Sequence, residues 1–275
     1  MKSCSDGTSP CTIRKAIHSR GVYFYAMRHK PLLTDQDIVD RHQFGLKYVD
    51  KPIGWWLSHI QMNIDVKFFQ VFLNARARDH AAQSGCRGVY RVEGQGLSEG
   101  YYKPNPKLKY NSGAKGVHVL AGVGMGKVLV WEYLEGTWNS HEAARLYKGA
   151  VLKALQRAYP HRHQYIVLED NDPTGFRSKL GLKAKEEARI ETFQIPKRSP
   201  QLNVCDDFVW KEVDQRMGAT ERKWPVNKKE TRDAYKRRLA RTARSLPSEM
   251  ISKAQKHMKV RCQRLIATEG AQIEG

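Results

Sequence analysis

The chain has 275 residues, 40% of them hydrophobic and 28% charged, which is enough apolar material to build a core and excludes a wholly disordered chain. Lys and Arg number 48 against 28 Asp and Glu, for a net charge of +20. A surplus of that size calls for an acidic partner, nucleic acid first and an anionic membrane surface second. No apolar run approaches the roughly 18–20 residues needed to span a bilayer. The start, Met1 to Pro10, lacks the apolar centre of a signal peptide. The five cysteines (Cys4, Cys11, Cys86, Cys205, Cys262) never form a CxxC pair, which speaks against a disulfide framework or a zinc ribbon. His161 and His163 have no partner at finger spacing. An intracellular, reduced protein that is not secreted and meets polyanions is expected.

In chain order, Ser9 to Gly21 reads as a short helix closed by Gly21, with Arg14, Lys15, His18 and Arg20 as candidate DNA contacts. Residues 22–58 read as a connector holding one helix, Asp35 to Tyr48, capped by Thr34. His59 to Asp65 alternates as a strand does, and Val66 to Leu73 continues as a second strand after a tight turn. The basic, Gly/Pro-rich stretch 75–115 is a loop for DNA or a partner. Gly116 to Gly124 and Lys127 to Leu134 flank Met125-Gly126, a hairpin signature. An amphipathic helix over Ser140 to Tyr159 follows, then the buried strand Tyr165 to Leu168. A helix near Phe176 to Ala188, a strand at Ile190 to Ile195 and a helix from Asn203 to Met217 complete the domain. This order predicts an α/β fold, a ribonuclease-H-like mixed five-stranded sheet with helices on both faces. A short helical remnant precedes it.

A basic helical tail follows. From Ala219 to Gly275 there are 15 Lys/Arg against six Asp/Glu. Its first helix, Thr231 to Arg244, has only a thin apolar stripe of Ala234, Leu239 and Ala243, so much of it should stay solvated. Lys236, Arg237, Arg238 and Arg241 then stand either on a plain charged face or on a DNA-contacting arm. A second helix begins at Ser248, after Pro247.

Three carboxylates stand out. Asp65 ends the first strand, Asp170 follows the apolar run YIVL, and Asp206 lies in the first turn of a helix that starts at Asn203. Residues at strand carboxyl ends line the ligand crevice of an α/β sheet. Three converging carboxylates repel one another unless a cation sits between them, and Mg²⁺ prefers such oxygen ligands. Two such ions stabilise the attacking and leaving oxygens of phosphodiester displacement. Each residue also has an ordinary reading. Asp65 suits a turn, Asp170 belongs to a turn-prone EDNDP in which Glu169 and Asp172 are equally available, and Asp206 suits a helix start.

The segments Tyr165 to Pro173 (YIVLEDNDP), Phe193 to Asn203 (FQIPKRSPQLN) and Cys205 to Trp210 (CDDFVW) resemble the catalytic core of Tc1/mariner transposases, in which a strand ends in DNxP and SPxLN follows. Asp170 and Asp206 have 35 residues between them, close to the family's interval. NIDVKFF, ahead of GVHVLAGVGMGK, is similar to the segment bearing the first acidic residue. The chain departs from the family's pattern at Thr174-Gly175, where many relatives have a histidine, and at Gln201, Val204 and Cys205. Asp207 beside Asp206 leaves the register of the third ligand open by one.

The resemblance implies a ribonuclease-H-like fold and DNA cleavage and strand transfer with two Mg²⁺ (or Mn²⁺) ions held by Asp65, Asp170 and Asp206. It also implies double-stranded DNA partners (transposon inverted repeats and target), a homodimer, no membrane and no organic cofactor, and a nuclear location if the host is eukaryotic. The expected organisation is 1–22 as the remnant of a helix-turn-helix domain, N-terminally truncated, 23–58 as linker, 59–218 as catalytic domain and 219–275 as basic extension. A co-opted copy that binds DNA without cutting, and a structure-selective nuclease of the same fold, are the alternatives.

Overall fold

The computed structural model describes residues 9–26, 28–30, 32–71, 88–93, 95, 102–104, 116–225 and 227–273. Most of the predicted loop at 75–115 lies outside them. Two compact units result, one of residues 1–32 with 80–109 and one of 33–79 with 110–275.

The smaller unit holds α1 (Pro10–His18), with Ser9 as its cap and a turn at Gly21. Its strands are β1 (Val22–Ala26) and β2 (Arg28–Lys30), followed much later by β4 (Gly88–Val92) and β5 (Tyr102–Pro104). β1 pairs antiparallel with β4, and β2 parallel with β5. The stretch after Gly21 is therefore not a bare connector. It forms two short ribbons with residues from the 75–115 region.

The larger unit opens with α2 (Asp35–Tyr48), whose Thr34 and Asp37 form a capping box as Thr34 foretold. α3 (Ile53–His59) follows. The sheet then contains β3 (Met62–Gln70), β6 (Gly116–Gly124), β7 (Lys127–Tyr133), β8 (Tyr165–Glu169) and β9 (Ile190–Gln194), in the order β7-β6-β3-β8-β9. β3 runs antiparallel to β6, which runs antiparallel to β7, while β8 and β9 continue parallel to β3. This is the mixed five-stranded sheet expected. β3 differs in being one unbroken strand with no turn after Asp65. Val66, Phe68 and Phe69 are strong strand formers, and β6 pairs with β3 from Asn63 through Gln70. Between β6 and β7, Met125 (φ 52°) and Gly126 (φ 68°) both occupy the left-handed region, as a two-residue type I′ hairpin requires.

Alternation along β3 sends Met62 and Ile64 to one face of the sheet and Asn63, Asp65 and Phe69 to the other. The first face packs with Leu120 and Val130 against α4, which comprises Ser140–Leu146, a π turn at Tyr147–Val151 and Leu152–Ala158, and against α5 (Lys179–Glu187). The second face lies under α6 (Trp210–Glu221), α7 (Arg232–Arg244) and α8 (Ser248–Lys256), through Val209, Trp210, Val213, Leu239 and Ile251. A third cluster joins Leu168 and Phe193 to Phe44 of α2, Trp56 of α3 and Cys262 and Leu265 of α9 (Met258–Ala267).

The tail is thus part of the core, not a solvated arm. On α7 the buried stripe is Tyr235, Leu239 and Ala243, an i, i+4, i+8 set extended by Leu246. Tyr235, not Ala234, supplies the bulk that makes this narrow stripe sufficient.

Candidate active site

The register of β3 on β8 pairs Met62 with Val167 and Asn63 with Leu168. Carried two residues further, it sets Asp170 beside Asp65, one residue beyond the end of β8. Asp65 itself lies mid-strand, where β3 and β6 run on past the shorter β8. Paired residues of parallel strands point to the same face, so both carboxylates share the side covered by α6.

The segment ahead of α6 is stitched to β3 at that level. Asn203 donates its side-chain Nδ2 to the Ile64 carbonyl at 3.0 Å, and its Oδ1 accepts from the Cys205 N–H at 3.0 Å. The Cys205 thiol donates to the Asn63 carbonyl at 3.4 Å. A π turn over Cys205–Val209 then leads into α6. It presents Asp206 toward Asp65, close enough for each carboxyl to shift the other. Asp207 turns away into a buried ion pair with Arg261 of α9. Of the two neighbouring carboxylates, Asp206 is the one that faces Asp65.

The neighbouring acids are committed elsewhere. Glu169 is buried with Lys185 and Tyr147 as partners, and Thr192 Oγ1 donates to it at 3.0 Å. Asp172 accepts from Trp138 Nε1 at 2.7 Å and from the N–H groups of Thr174 (3.1 Å) and Gly175 (2.9 Å). It also donates its own N–H to Asp170 Oδ1 at 3.1 Å. Asn171 ties the loop to the end of β9 by donating to the Ile195 carbonyl at 2.6 Å. Thr174-Gly175, the departure from the familiar pattern, has a local reason, since a Cβ on Gly175 would stand 2.1 Å from the Trp138 ring. Gly175→Ala is expected to displace Trp138 from Asp172 and to destabilise by about 1–3 kcal/mol, read as a lower urea midpoint at unchanged slope.

Burial pushes the Asp65 carboxyl well above its usual range, and the charges of Asp206 and Asp170 push it further. Asp170 is raised to about 6 by burial and by the nearby Asp172, Asp206 and Glu169, against the Asp172 N–H that holds it down. Asp206 is also raised to about 6 by burial, which its proximity to the Asp65 carboxyl and the charge of Lys67 only partly offset. Among the described residues no three His, Cys, Asp or Glu side chains are already drawn together as a closed metal cluster. The donor chemistry nevertheless fits a hard divalent cation, with oxygen donors only and mutual repulsion that a cation would relieve.

The basic candidates separate. Arg14, Lys15 and Arg20 are exposed, and the His18 ring rests 5.0 Å from that of Tyr23. On α7, Arg237 and Arg241 face solvent and Lys236 lies 5.2 Å over the Tyr133 ring. Arg238 is turned inward, paired with Glu221 at 2.8 Å and Glu230 at 2.7 Å and lying 4.8 Å over the Trp224 ring. Arg238→Ala is expected to lower stability. Arg237→Ala with Arg241→Ala is expected to leave stability unchanged and to reduce the salt slope of DNA binding by roughly 2, about 1 per lost phosphate contact.

Two site features escaped the sequence reading. Trp210 Nε1 donates to Asp65 Oδ2 at 2.6 Å, and Asn203 bridges its own turn to β3. The signal for the first was spacing, because Trp210 lies one turn after Asp206 and so shares its side of the helix.

Sheet order and helices on both faces define a ribonuclease-H-like fold of the kind found in the catalytic domain of a mariner transposase. Solved structures of Mos1 mariner transposase share it. A pre-cleavage Mos1 transpososome superposes with a TM-score of 0.66 at 17% identity, over 97% of this chain and 72% of that one. The isolated Mos1 catalytic domain gives 0.60 at 16% identity, over 89% of this chain and 99% of its own. A Mos1 paired-end complex with Mn gives 0.62 at 15%, over 97% and 72%. At these identities the likeness is one of fold. The chain matches no protein-family model and no curated protein sequence.

Proposed function

We propose that this chain is a metal-dependent DNA transposase of the mariner kind, which cleaves phosphodiester bonds at transposon ends and joins the freed 3′ ends to a target duplex. The observation that carries the reading is that Asp65 feels the charges of both Asp170 and Asp206, although Asp65 and Asp206 stand 141 positions apart in the chain. Asp65, Asp170 and Asp206 would hold two Mg²⁺ or Mn²⁺ ions. Such ions supply Lewis acidity to the attacking and leaving oxygens of an in-line displacement. The protein's own part is positional. Asn203 and Cys205 fix the third carboxylate to β3, and the Asp172 N–H with the Asn171 anchor fixes the second. The +20 charge gathers the phosphate backbone. The resembled structures include paired-end and strand-transfer complexes of Mos1, which supports DNA as partner, and a homodimer that bridges two ends is part of the same proposal. In a eukaryotic host the site of action is the nucleus.

The test is nicking of a supercoiled plasmid by the purified chain with Mg²⁺ or Mn²⁺, abolished by EDTA. Joining of a cut 3′ end into a second duplex separates a transposase from a plain nuclease. Binding with no cleavage under either metal would leave a DNA-binding protein.

The raised carboxyls also predict a pH-dependent response to metal. Between pH 3.8 and about 6 the folded chain binds more protons at Asp170 and Asp206 than the unfolded chain does, so the metal-free fold loses stability as pH rises through that window. A divalent ion displaces those protons. The Mg²⁺-induced rise in melting temperature is therefore expected to be small at pH 5 and larger at pH 8, measured by differential scanning fluorimetry.

A further inference from the structure

The core on the α6 side of the sheet contains two tryptophans in edge contact, Trp131 of β7 and Trp210 of α6, with ring centroids 5.8 Å apart and both nearly inaccessible. Phe69 packs on both. As apolar bulk the two indoles are equivalent. Their N–H groups are not. Trp131 Nε1 meets no acceptor of hydrogen-bonding geometry among the described residues and only leans toward the Tyr133 hydroxyl, which is itself engaged with the Lys236 carbonyl. Trp210 Nε1 is spent on Asp65 Oδ2 at 2.6 Å.

A buried carboxylate with one oxygen held by a rigid donor has a single orientation and one oxygen left to offer. An indole is well suited to that task. It donates one hydrogen bond, accepts none and cannot ionise, and its ring is clamped here by Phe69 and Trp131. Partners of this kind fix metal-ligand orientation, and their loss typically weakens metal binding by 10–100-fold. We propose that Trp210 is a positioning residue for Asp65: its indole N–H holds one carboxylate oxygen so that the other faces the cation shared with Asp170 and Asp206. This rests on the metal-binding reading of the three aspartates and adds to it a residue that touches neither metal nor DNA.

The adjacent indole supplies the control. Trp210→Phe and Trp131→Phe make the same change in the same core cluster, and only the first removes a donor from Asp65. Mg²⁺ titrations followed by thermal shift on the full chain should give a midpoint about 10-fold higher for Trp210→Phe and within 2-fold of wild type for Trp131→Phe. The nicking rate of Trp210→Phe should return to within a few-fold of wild type at saturating metal. Equal midpoints for the two variants would overturn the proposal, because a packing role alone moves them together. Should Trp210→Phe not fold, the six tryptophans of the otherwise unaltered chain provide a second measurement. One indole N–H resonance should move both on Mg²⁺ titration and on Asp65→Asn substitution, and the absence of any resonance that responds to both would count against the proposal equally. A wild-type chain with no thermal response to Mg²⁺ or Mn²⁺ would instead remove the underlying metal site, a failure distinct from either of these.

Discussion

Asp170→Asn should abolish metal-dependent nicking, by a factor of about 10³ or more, while making the metal-free protein more stable at neutral pH. The first half follows from the loss of a charged oxygen ligand in a site that would contribute several kcal/mol of transition-state stabilisation, each 1.36 kcal/mol being tenfold in rate. The second half follows from the electrostatics of the fold. Asp170 is raised from 3.8 to about 6, so its ionised form is disfavoured in the folded state, and the penalty is fully present above about pH 7. Two units correspond to about 3 kcal/mol. The carboxyl is partly open to solvent, so about 1–3 kcal/mol is the expected gain, or a melting temperature some 2–10 °C higher. Asparagine keeps an oxygen to accept the Asp172 N–H, so the loop need not rearrange. DNA binding at low salt should be nearly unchanged. A variant that lost activity and stability together would place Asp170 among the structural residues. The opposite signs are the signature of a site whose repulsion is held in place for a cation.

Much of this was legible in the chain itself, for identifiable reasons. The hairpin at Met125-Gly126 and the cap at Thr34 are local signals, and local geometry decided both. Asp170 could be placed because YIVL is too apolar for anything but a buried strand, and the residue after such a strand falls at the sheet's edge. The choice between Asp206 and Asp207 was not legible, because it depends on Arg261, more than fifty residues away, drawing Asp207 to the far side of the turn. Arg238 misled for a related reason. In composition it is one more positive charge on a basic helix, and only the positions of Glu221 and Glu230 turn it inward. Trp210 stands one turn after Asp206 and so on the same side of its helix, but which atom its indole N–H meets depends on β3, which lies far off in sequence.

Arg41 carries the same lesson to its largest consequence for stability. It lies in what reads as a connector, yet its side chain is fully buried. Its guanidinium donates to the carbonyls of Gly270 (2.7 Å), Ala271 (2.8 Å) and Arg198 (3.4 Å) and to Ser199 Oγ (2.9 Å). One buried cation thus ties α2 to the end of the chain and to the loop that leads into Asp206. A second link runs beside it, from Arg198 of that loop to Asp37 of α2. Burial lowers the Arg41 pKa to about 10, so it stays charged at any physiological pH. Arg41→Met preserves length and removes every donor, which strips a hydrogen bond from the carbonyls of Gly270, Ala271 and Arg198 and from the Ser199 hydroxyl. At 1–3 kcal/mol for each group that cannot find water, the expected loss is about 3–5 kcal/mol, read as a large fall in urea midpoint. Gln43→Ala, an exposed position on the same helix, should stay within about 0.5 kcal/mol of wild type. Deleting residues 269–275 removes two of the four acceptors and should destabilise through the same contacts, so combining the deletion with Arg41→Met should cost much less than the sum. Additive losses would mean that tail and helix are stabilised independently. Sub-additive losses would make the C-terminal residues, in sequence merely the end of a basic extension, one of the supports of the loop that carries the third carboxylate.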